Sequence, residues 1–415
     1  MKQAMLICLM AITVFTNAQK KSVVQPNAAL DSLDKAILKD IESRDIAGAA
    51  YAIFHNGQIL RMNAFGEADI ASHRKMQTTD IFRLASMTKP ITSFALLLLQ
   101  EDGLINMNDR LEKYLPAFAN QEVLEKIDTI EGATVIRTHP AKQPILLRHL
   151  LTHTAGFASQ YGGKLGDLYT GTFKNMYLND LADFSNKLSK LPLNHEPGEG
   201  WIYGPSINIA SRVIEVVSGM PFQEFLKKRI FRPLGMNDTD FYFDQSEVNR
   251  LTSHYTRDSI GNILILDPGN EKSKLIAGSK VFYSGSGGLN STLKDYLSFC
   301  TMILNNGIHE GKVIAKAETI AQMMIDQVPL NINADMNTQP GQLTEGFTFG
   351  YQIVRKENNR SKKTVGTLSW GGATGPIFFI DQEKKIIAMY LVQMQPYSHI
   401  YSRKIFVDTV LRSIK

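Results

Sequence analysis

The feature that most constrains this chain is where its two kinds of hydrophobic periodicity fall: strand-like alternation at both ends, helical spacing in the middle. Near the N-terminus, "AGAAYAIFHNGQILRMNAFGEADIA" holds two alternating apolar runs joined at His55-Asn56-Gly57, and Asn-Gly is the strongest short hairpin signal. Strand character returns in "FTFGYQIVRK", "KTVGTLSWGGA", "GPIFFIDQ" and "KIIAMYLVQMQ", before a last helical stretch, "HIYSRKIFVDTVLRSI". From about residue 90 to 280 the spacing is mostly helical, as in "SINIASRVIEVVSGMPFQEFLKKRIFRPLG", with Gly219 as a C-cap and Pro221 opening the next helix. This distribution predicts an α+β fold. One antiparallel sheet is assembled from the N- and C-terminal segments and flanked by helices, with a mostly helical lobe inserted. We expect a single domain over 27–415, its α/β lobe at about 27–100 and 280–415 and its helical lobe at about 101–279, with the cleft between them as the default site. The polar segment from Asn120 to Pro144 reads as a long excursion of the kind that sits over active sites.

With 415 residues, 44% hydrophobic and 20% charged, the chain fits the ordinary globular class, and no repeat or low-complexity tract appears. Lys2, the apolar run "AMLICLMAITVF" and the small-residue exit "TNA" have the three parts of a secretory signal peptide, with cleavage expected after Ala18. No later stretch reaches the about 20 apolar residues of a membrane span, so a soluble periplasmic or extracellular protein is expected. Cys8 lies within that leader and leaves Cys300 alone, so no intrachain disulfide is expected. The formal net charge of +5 is spread rather than clustered, which argues against nucleic acid as a partner.

The densest chemistry lies in "FRLASMTKPITS", where Lys89 follows Ser86 by three positions and the apolar run "FALLLLQ" comes just behind. Residues three apart on a helix share a face, so the amine reaches the hydroxyl; buried, the lysine loses proton affinity and becomes a base for the serine. The spacing alone also fits a capping serine beside a snorkelling lysine, and it recurs at Ser32/Lys35, Ser72/Lys75 and Ser291/Lys294. Context separates them. Ser32 and Lys35 lie on the polar side of a stripe of Leu30, Leu33, Ile37, Leu38 and Ile41; Ser72 and Lys75 sit in a charged loop; Ser291 and Thr292 read as caps, with Asp295 completing a capping box from Thr292. Only Ser86 opens a strongly apolar helix.

Other hydrolase signatures are mostly excluded. There is no Gly-x-Ser-x-Gly elbow. His149 and His153 in "RHLLTHTAGF" are four apart, but no Glu follows the first histidine as a metalloprotease needs, and buried, hydrogen-bonded histidines fit better than a metal pair. Tyr203 in "PGEGWIYGPS" reads either as a packing aromatic or, beside a lysine ammonium, as a proton shuttle with a lowered pKa. "SWGGATG" follows a strand, and its glycines let a backbone approach a ligand closely, while Trp370 alone reads as core.

Taken in order, the Ser86-Met87-Thr88-Lys89 box, "LLTHTAGF" at 150–157, "PGEGWIYG" at 197–204, "RVIEVVSG" followed by "IFRPLGMNDT", "GSGGLNST" and "WGGATG" at 370–375 resemble the serine beta-lactamase-like family. The similarity covers nearly all of the chain after the leader and is greatest to the carboxylesterase branch, with its penicillin-binding-protein-like fold. The resemblance implies Ser86 as acyl-accepting nucleophile, Lys89 and Tyr203 sharing the base role, and the backbone N–H groups of Ser86 and Ala373 as oxyanion hole. It also implies Trp370, Gly371 and Gly372 along the substrate, with no cofactor and no metal.

Two departures narrow the substrate. Lactam-cleaving members begin the third motif with a lysine that attracts a carboxylate; here Trp370 stands there, with Gly371 where a hydroxyl residue would be. Their Tyr-x-Asn becomes Tyr203-Gly204-Pro205, which removes the amide that holds a lactam's acylamide, and Asn208 is too far along to replace it simply. Tyr203-Gly204 also differs from the Tyr-Ser common in the esterase branch. Recognition of a charged, amide-bearing substrate is weakened while acyl transfer is left intact. A secreted serine esterase or acyl transferase acting on a small-molecule ester is thus the expected function. The alternatives are a beta-lactamase or D-amino-acid peptidase, and a non-catalytic relative that binds peptidoglycan or a partner.

Overall fold

The two ends of the chain meet in one eight-stranded sheet in the computed structural model, which describes residues 27–131, 133–332, 334, 344–356 and 362–414. The expected leader over 1–18, Cys8 included, lies outside the described residues. Strands β1 (Gly48–His55), β2 (Gln58–Asp69) and β3 (Arg74–Lys75) come from the N-terminal part. Strands β4 (Glu345–Phe347), β5 (Gln352–Val354), β6 (Leu368–Gly371), β7 (Ile377–Asp381) and β8 (Ile386–Val392) come from the C-terminal part. The order is β4-β5-β6-β7-β8-β1-β2-β3, and every neighbouring pair is antiparallel. At the seam Tyr51 of β1 lies opposite Tyr390 of β8, so the sheet closes across more than 300 residues of intervening chain. Asn56 and Gly57 both take positive φ (48° and 82°), the backbone that an Asn-Gly hairpin turn requires.

Period-two alternation divides the side chains of β1 and β8 between two cores. Ala50, Ala52, Ile387, Met389 and Leu391 face the larger one, which contains helix α2 (Lys89–Glu101) and the helical lobe. Ala49, Tyr51, Ile53, Ala388 and Tyr390 face the other, covered by α1 (Ala28–Glu42) and the C-terminal helix Tyr401–Ser413. The α1 stripe is buried at Leu30, Leu33 and Ile37, whereas Leu38, at its margin, is 45% exposed. In α2 every residue from Lys89 to Leu99 is buried. Each of its fully buried leucines contributes about 1.5–3 kcal/mol by leaving water, which anchors the segment that carries Ser86.

Caps follow the sequence at two informative places. Gly219 ends helix α3 (Ser206–Ser218) with φ 67°, and Thr292 accepts from the Asp295 N–H at the start of α4 (Leu293–Leu304). The Asp295 carboxylate does not return to Thr292; it accepts from the Asp238 N–H and the Thr239 hydroxyl instead. The expected long excursion is likewise ordered differently. Most of Asn120 to Pro144 forms a hairpin of strands Glu122–Ile130 and Ala133–Pro140, with Ile127 opposite Ile136. A bulge between Leu124 and Lys126 breaks its alternation, and exposure on both sides leaves no apolar face for periodicity to reveal. Bonds from this segment run to Ser189, Leu193 and Glu196, on the approach to Tyr203, rather than to Ser86 or Lys89.

Candidate active site

Ser86 sits in a single 3-10 turn, Ala85–Thr88, that leads directly into α2. The turn is pinned from several sides. Arg83 exchanges bonds with the Gln393 side chain (3.1 Å each way), Leu84 N–H donates to Leu289 O (3.0 Å), and the Tyr296 hydroxyl donates to Met87 O (2.9 Å). Ala85, immediately before the serine, has φ 46°. A left-handed alanine costs roughly 1–2 kcal/mol, and such strain persists only where surrounding bonds over-determine the backbone.

Lys89 is 3% exposed. Its Nζ donates to Ser86 Oγ at 3.1 Å and to the Ser286 carbonyl at 2.6 Å, and it lies 4.6 Å from the centre of the Tyr203 ring. No carboxylate pairs with it among the described residues, so burial acts unopposed and lowers its pKa to about 7. The amine is therefore largely neutral in mildly alkaline water. The other Ser-x-x-Lys pairs lack this arrangement: Ser32 donates to Ala29 O, Ser72 to Asp69, and Ser291 is paired with Thr239.

Tyr203 is 6% exposed, and its hydroxyl has no hydrogen-bond partner among the described residues; Ser86 and Trp370 are the polar side chains that act on it. Burial raises its pKa above the ordinary value, opposed only in part by those two. This corrects the expectation that a lysine ammonium would lower it. The low-dielectric surroundings that would have strengthened that attraction remove the lysine's charge first. Above about pH 7 the pair is mainly an amine and a phenol.

Strand β6 brings the third motif alongside. Trp370 turns toward Tyr203 and Phe347, with ring centres 5.3 and 5.2 Å apart, and Trp201 and His153 extend the same aromatic wall. Gly371 faces the other way: a Cβ there would point at Pro376 O and the Arg403 guanidinium. At Gly372 a Cβ would lie 2.4 Å from Leu84 O and 3.1 Å from the Ala85 Cβ. The backbone approach that this glycine permits is to the Ser86 turn itself. Thr374 Oγ1 donates to Arg83 O (3.1 Å) and fixes the same contact from the next turn. The Ser86 and Ala373 N–H groups have no acceptor among the described residues.

Three participants escaped the sequence reading. The Ser286 carbonyl reaches Lys89 because Asn208 Oδ1 accepts from the Ser286 N–H (2.9 Å) and the Ser284 hydroxyl (3.0 Å). The Gly-rich "SGSGG" is the only local hint of this, since only the fold brings it beneath α2. Ala85 carries no sequence mark of its left-handed backbone. His153 lies against Tyr203, ring centres 4.7 Å apart, although it had been weighed with His149 as a metal pair. The two histidines serve different neighbours: His149 Nδ1 accepts from Leu146 N–H, His153 Nδ1 from Gly204 N–H. No group of three metal-ligating side chains occurs among the described residues, and none of their helices is long and apolar enough to cross a membrane.

An antiparallel sheet closed from both chain ends, with a serine and a desolvated lysine at the head of a buried helix, defines a serine hydrolase of the transpeptidase-like fold. The chain belongs to the beta-lactamase family, whose family model matches residues 33–403. It is 28% identical over 384 residues to the lovastatin esterase of Penicillium rubens, covering 87% of this chain and 92% of that one. To esterase EstB of Burkholderia gladioli it is 27% identical over 370 residues, with 84% and 86% covered. Among solved structures, EstCE1, described as a hydrolase with promiscuous acyltransferase activity, superposes with a TM-score of 0.77 at 22% identity, covering 93% of this chain and 98% of that one.

Proposed function

We propose that this chain is a carboxylesterase-type acyl transferase working through an acyl-enzyme on Ser86. The observation that carries the reading is the Lys89 amine, buried without a counter-charge and 3.1 Å from Ser86 Oγ. Neutral Lys89 takes the serine proton as Oγ bonds to the acyl carbon. The developing oxyanion is met by the Ser86 and Ala373 N–H groups at the head of α2, where the helix dipole adds to them. Tyr203, still a phenol, protonates the departing alkoxide and regains its proton from the Lys89 ammonium. Water or another alcohol then attacks the acyl-enzyme, passing its proton back along the same groups and restoring Ser86.

An ester is favoured over a lactam by Trp370 at the place of a cationic anchor and by Asn208, whose carboxamide oxygen is committed to Ser284 and Ser286. The leader-like residues 1–18 support export, which N-terminal sequencing of the protein recovered outside the cytoplasm checks. The reaction itself is tested by turnover of a short-chain nitrophenyl ester and of a chromogenic cephalosporin, each beside Ser86→Ala. Ester turnover that disappears in the variant, with little cephalosporin turnover in either, is the expected result. Equal ester turnover by both proteins would refute Ser86 as nucleophile, and dominant cephalosporin turnover would favour the lactamase alternative.

A further inference from the structure

The buried Tyr203 hydroxyl has no hydrogen-bond partner among the described residues, and its backbone is tied down on both sides. The bonds that set it come from one short segment of chain. The Ile202 N–H donates to the His153 carbonyl at 3.1 Å, and the Gly204 N–H donates to His153 Nδ1 at 3.4 Å. A single residue thereby accepts from the backbone N–H of the residue before the tyrosine and of the residue after it. The carbonyl of Tyr203 itself accepts from Ser159 Oγ at 2.5 Å, and Ser159 Oγ in turn accepts from the Tyr161 N–H at 3.1 Å.

The backbone of the segment is shaped for this grip. His153 has φ 59°, a left-handed conformation in which histidine, asparagine and aspartate are enriched. Its ring packs on Tyr203 and edge-on to Trp201 and Phe347. Because Nδ1 accepts a hydrogen bond, the neutral ring carries its proton on Nε2, which is buried and has no partner. Gly204 completes the fit. A Cβ there would come within 3.1 Å of the Ser159 Cβ and 3.4 Å of Ala158 O, so its lack of a side chain lets the segment close on the tyrosine.

We propose that His153, with Ser159 on the opposite side, is a positioning residue for Tyr203: a backbone clamp that holds the phenol over Lys89 and Ser86. This rests on the reading of Tyr203 as the proton shuttle. Misplacing a reacting group by about 1 Å costs on the order of 100-fold in rate, so the clamp is read in kcat rather than in KM.

The test is a set of variants of the full chain assayed for kcat and KM on a short-chain nitrophenyl ester. His153→Phe keeps a ring but loses the acceptor, and should lower kcat roughly 10- to 100-fold with KM little changed. His153→Asn places an acceptor near the position of Nδ1, suits the left-handed backbone, and should restore most of that loss. In the Tyr203→Phe background, His153→Phe should add little further loss, because a group acting through Tyr203 has nothing left to position. Should His153→Phe fail to fold, Ser159→Ala, which keeps its Cβ against Gly204, gives the same reading from the other side. Losses that multiply in the double variant, or an asparagine no better than phenylalanine, would overturn the clamp. Loss of turnover in Ser86→Ala and Tyr203→Phe with full activity in both clamp variants would overturn the clamp alone; activity retained in Ser86→Ala would overturn the acyl-transfer reading first.

Discussion

The two sides of the site are built on different principles. Ser86 and Lys89 stand on the sheet side, in a turn fixed by Gln393, Leu289, Tyr296 and Thr374 and continued by a helix buried from Lys89 to Leu99. Their chemistry follows from burial, since the surroundings that exclude water also make the lysine a base. Tyr203 stands on the helical side, in a loop held by backbone bonds from His153 and Ser159, with no partner for its hydroxyl among the described residues. One side is set by desolvation and close packing, the other by a few directed bonds. Removing a group on the first side removes the chemistry, whereas loosening the second side degrades its aim.

Lys89→Met gives the largest effect after loss of the nucleophile itself, a fall in kcat/KM of roughly 10³-fold or more, measured with the nitrophenyl ester. The wild-type profile sharpens the same point. In the proposed mechanism the proton-free amine is the active form, so kcat/KM should rise about tenfold per pH unit below pH 7 and level off above the lysine's pKa of about 7. A limb near 10 would place the lysine in water and erase the distinction between the two sides. Tyr203→Phe should be milder, about 100-fold, since the amine still accepts the serine proton; a loss equal to that of Lys89→Met would break the comparison.

Stability carries the contrast to smaller effects. The folded pKa of Lys89 lies below its unfolded value, so the unfolded chain binds the extra proton between about pH 7 and 10.5. Wild-type stability relative to Lys89→Met should therefore climb through that window, by up to about 1.4 kcal/mol per unit, and stay flat below it. Denaturant melts at pH 6, 8 and 10 measure this. Gly372→Ala forces a Cβ onto Leu84 O and should cost about 1–3 kcal/mol, together with a loss of turnover as the Ser86 turn shifts. Gly204→Ala meets the Ser159 Cβ at a less severe 3.1 Å and should cost about 1 kcal/mol, with a kcat change smaller than that of Gly372→Ala.

Legibility in the sequence followed the range of the forces involved. The Asn56-Gly57 turn, the Gly219 and Thr292 caps and the late strands depend on neighbours in the chain and were readable. The hairpin within Asn120 to Pro144 was not, because its two faces are exposed and a bulge interrupts its period. At the candidate site, spacing and resemblance point to Ser86, Lys89, Tyr203 and the glycines around Trp370. The partners that tune them were not readable: Ser286 is nearly 200 residues from Lys89, and His153 is 50 from Tyr203.

The sequence by itself determined the strands near the two chain ends, which serine heads an apolar helix, and that a lysine three residues later shares its face. Those are consequences of local periodicity and side-chain chemistry. Tertiary structure alone decided that Lys89 has no counter-charge among the described residues, that Gly372 packs against the serine turn, and that burial raises the Tyr203 pKa. Burial and the electrostatics it imposes depend on which distant segments close over a residue, and here those segments come from both ends of the chain and its middle.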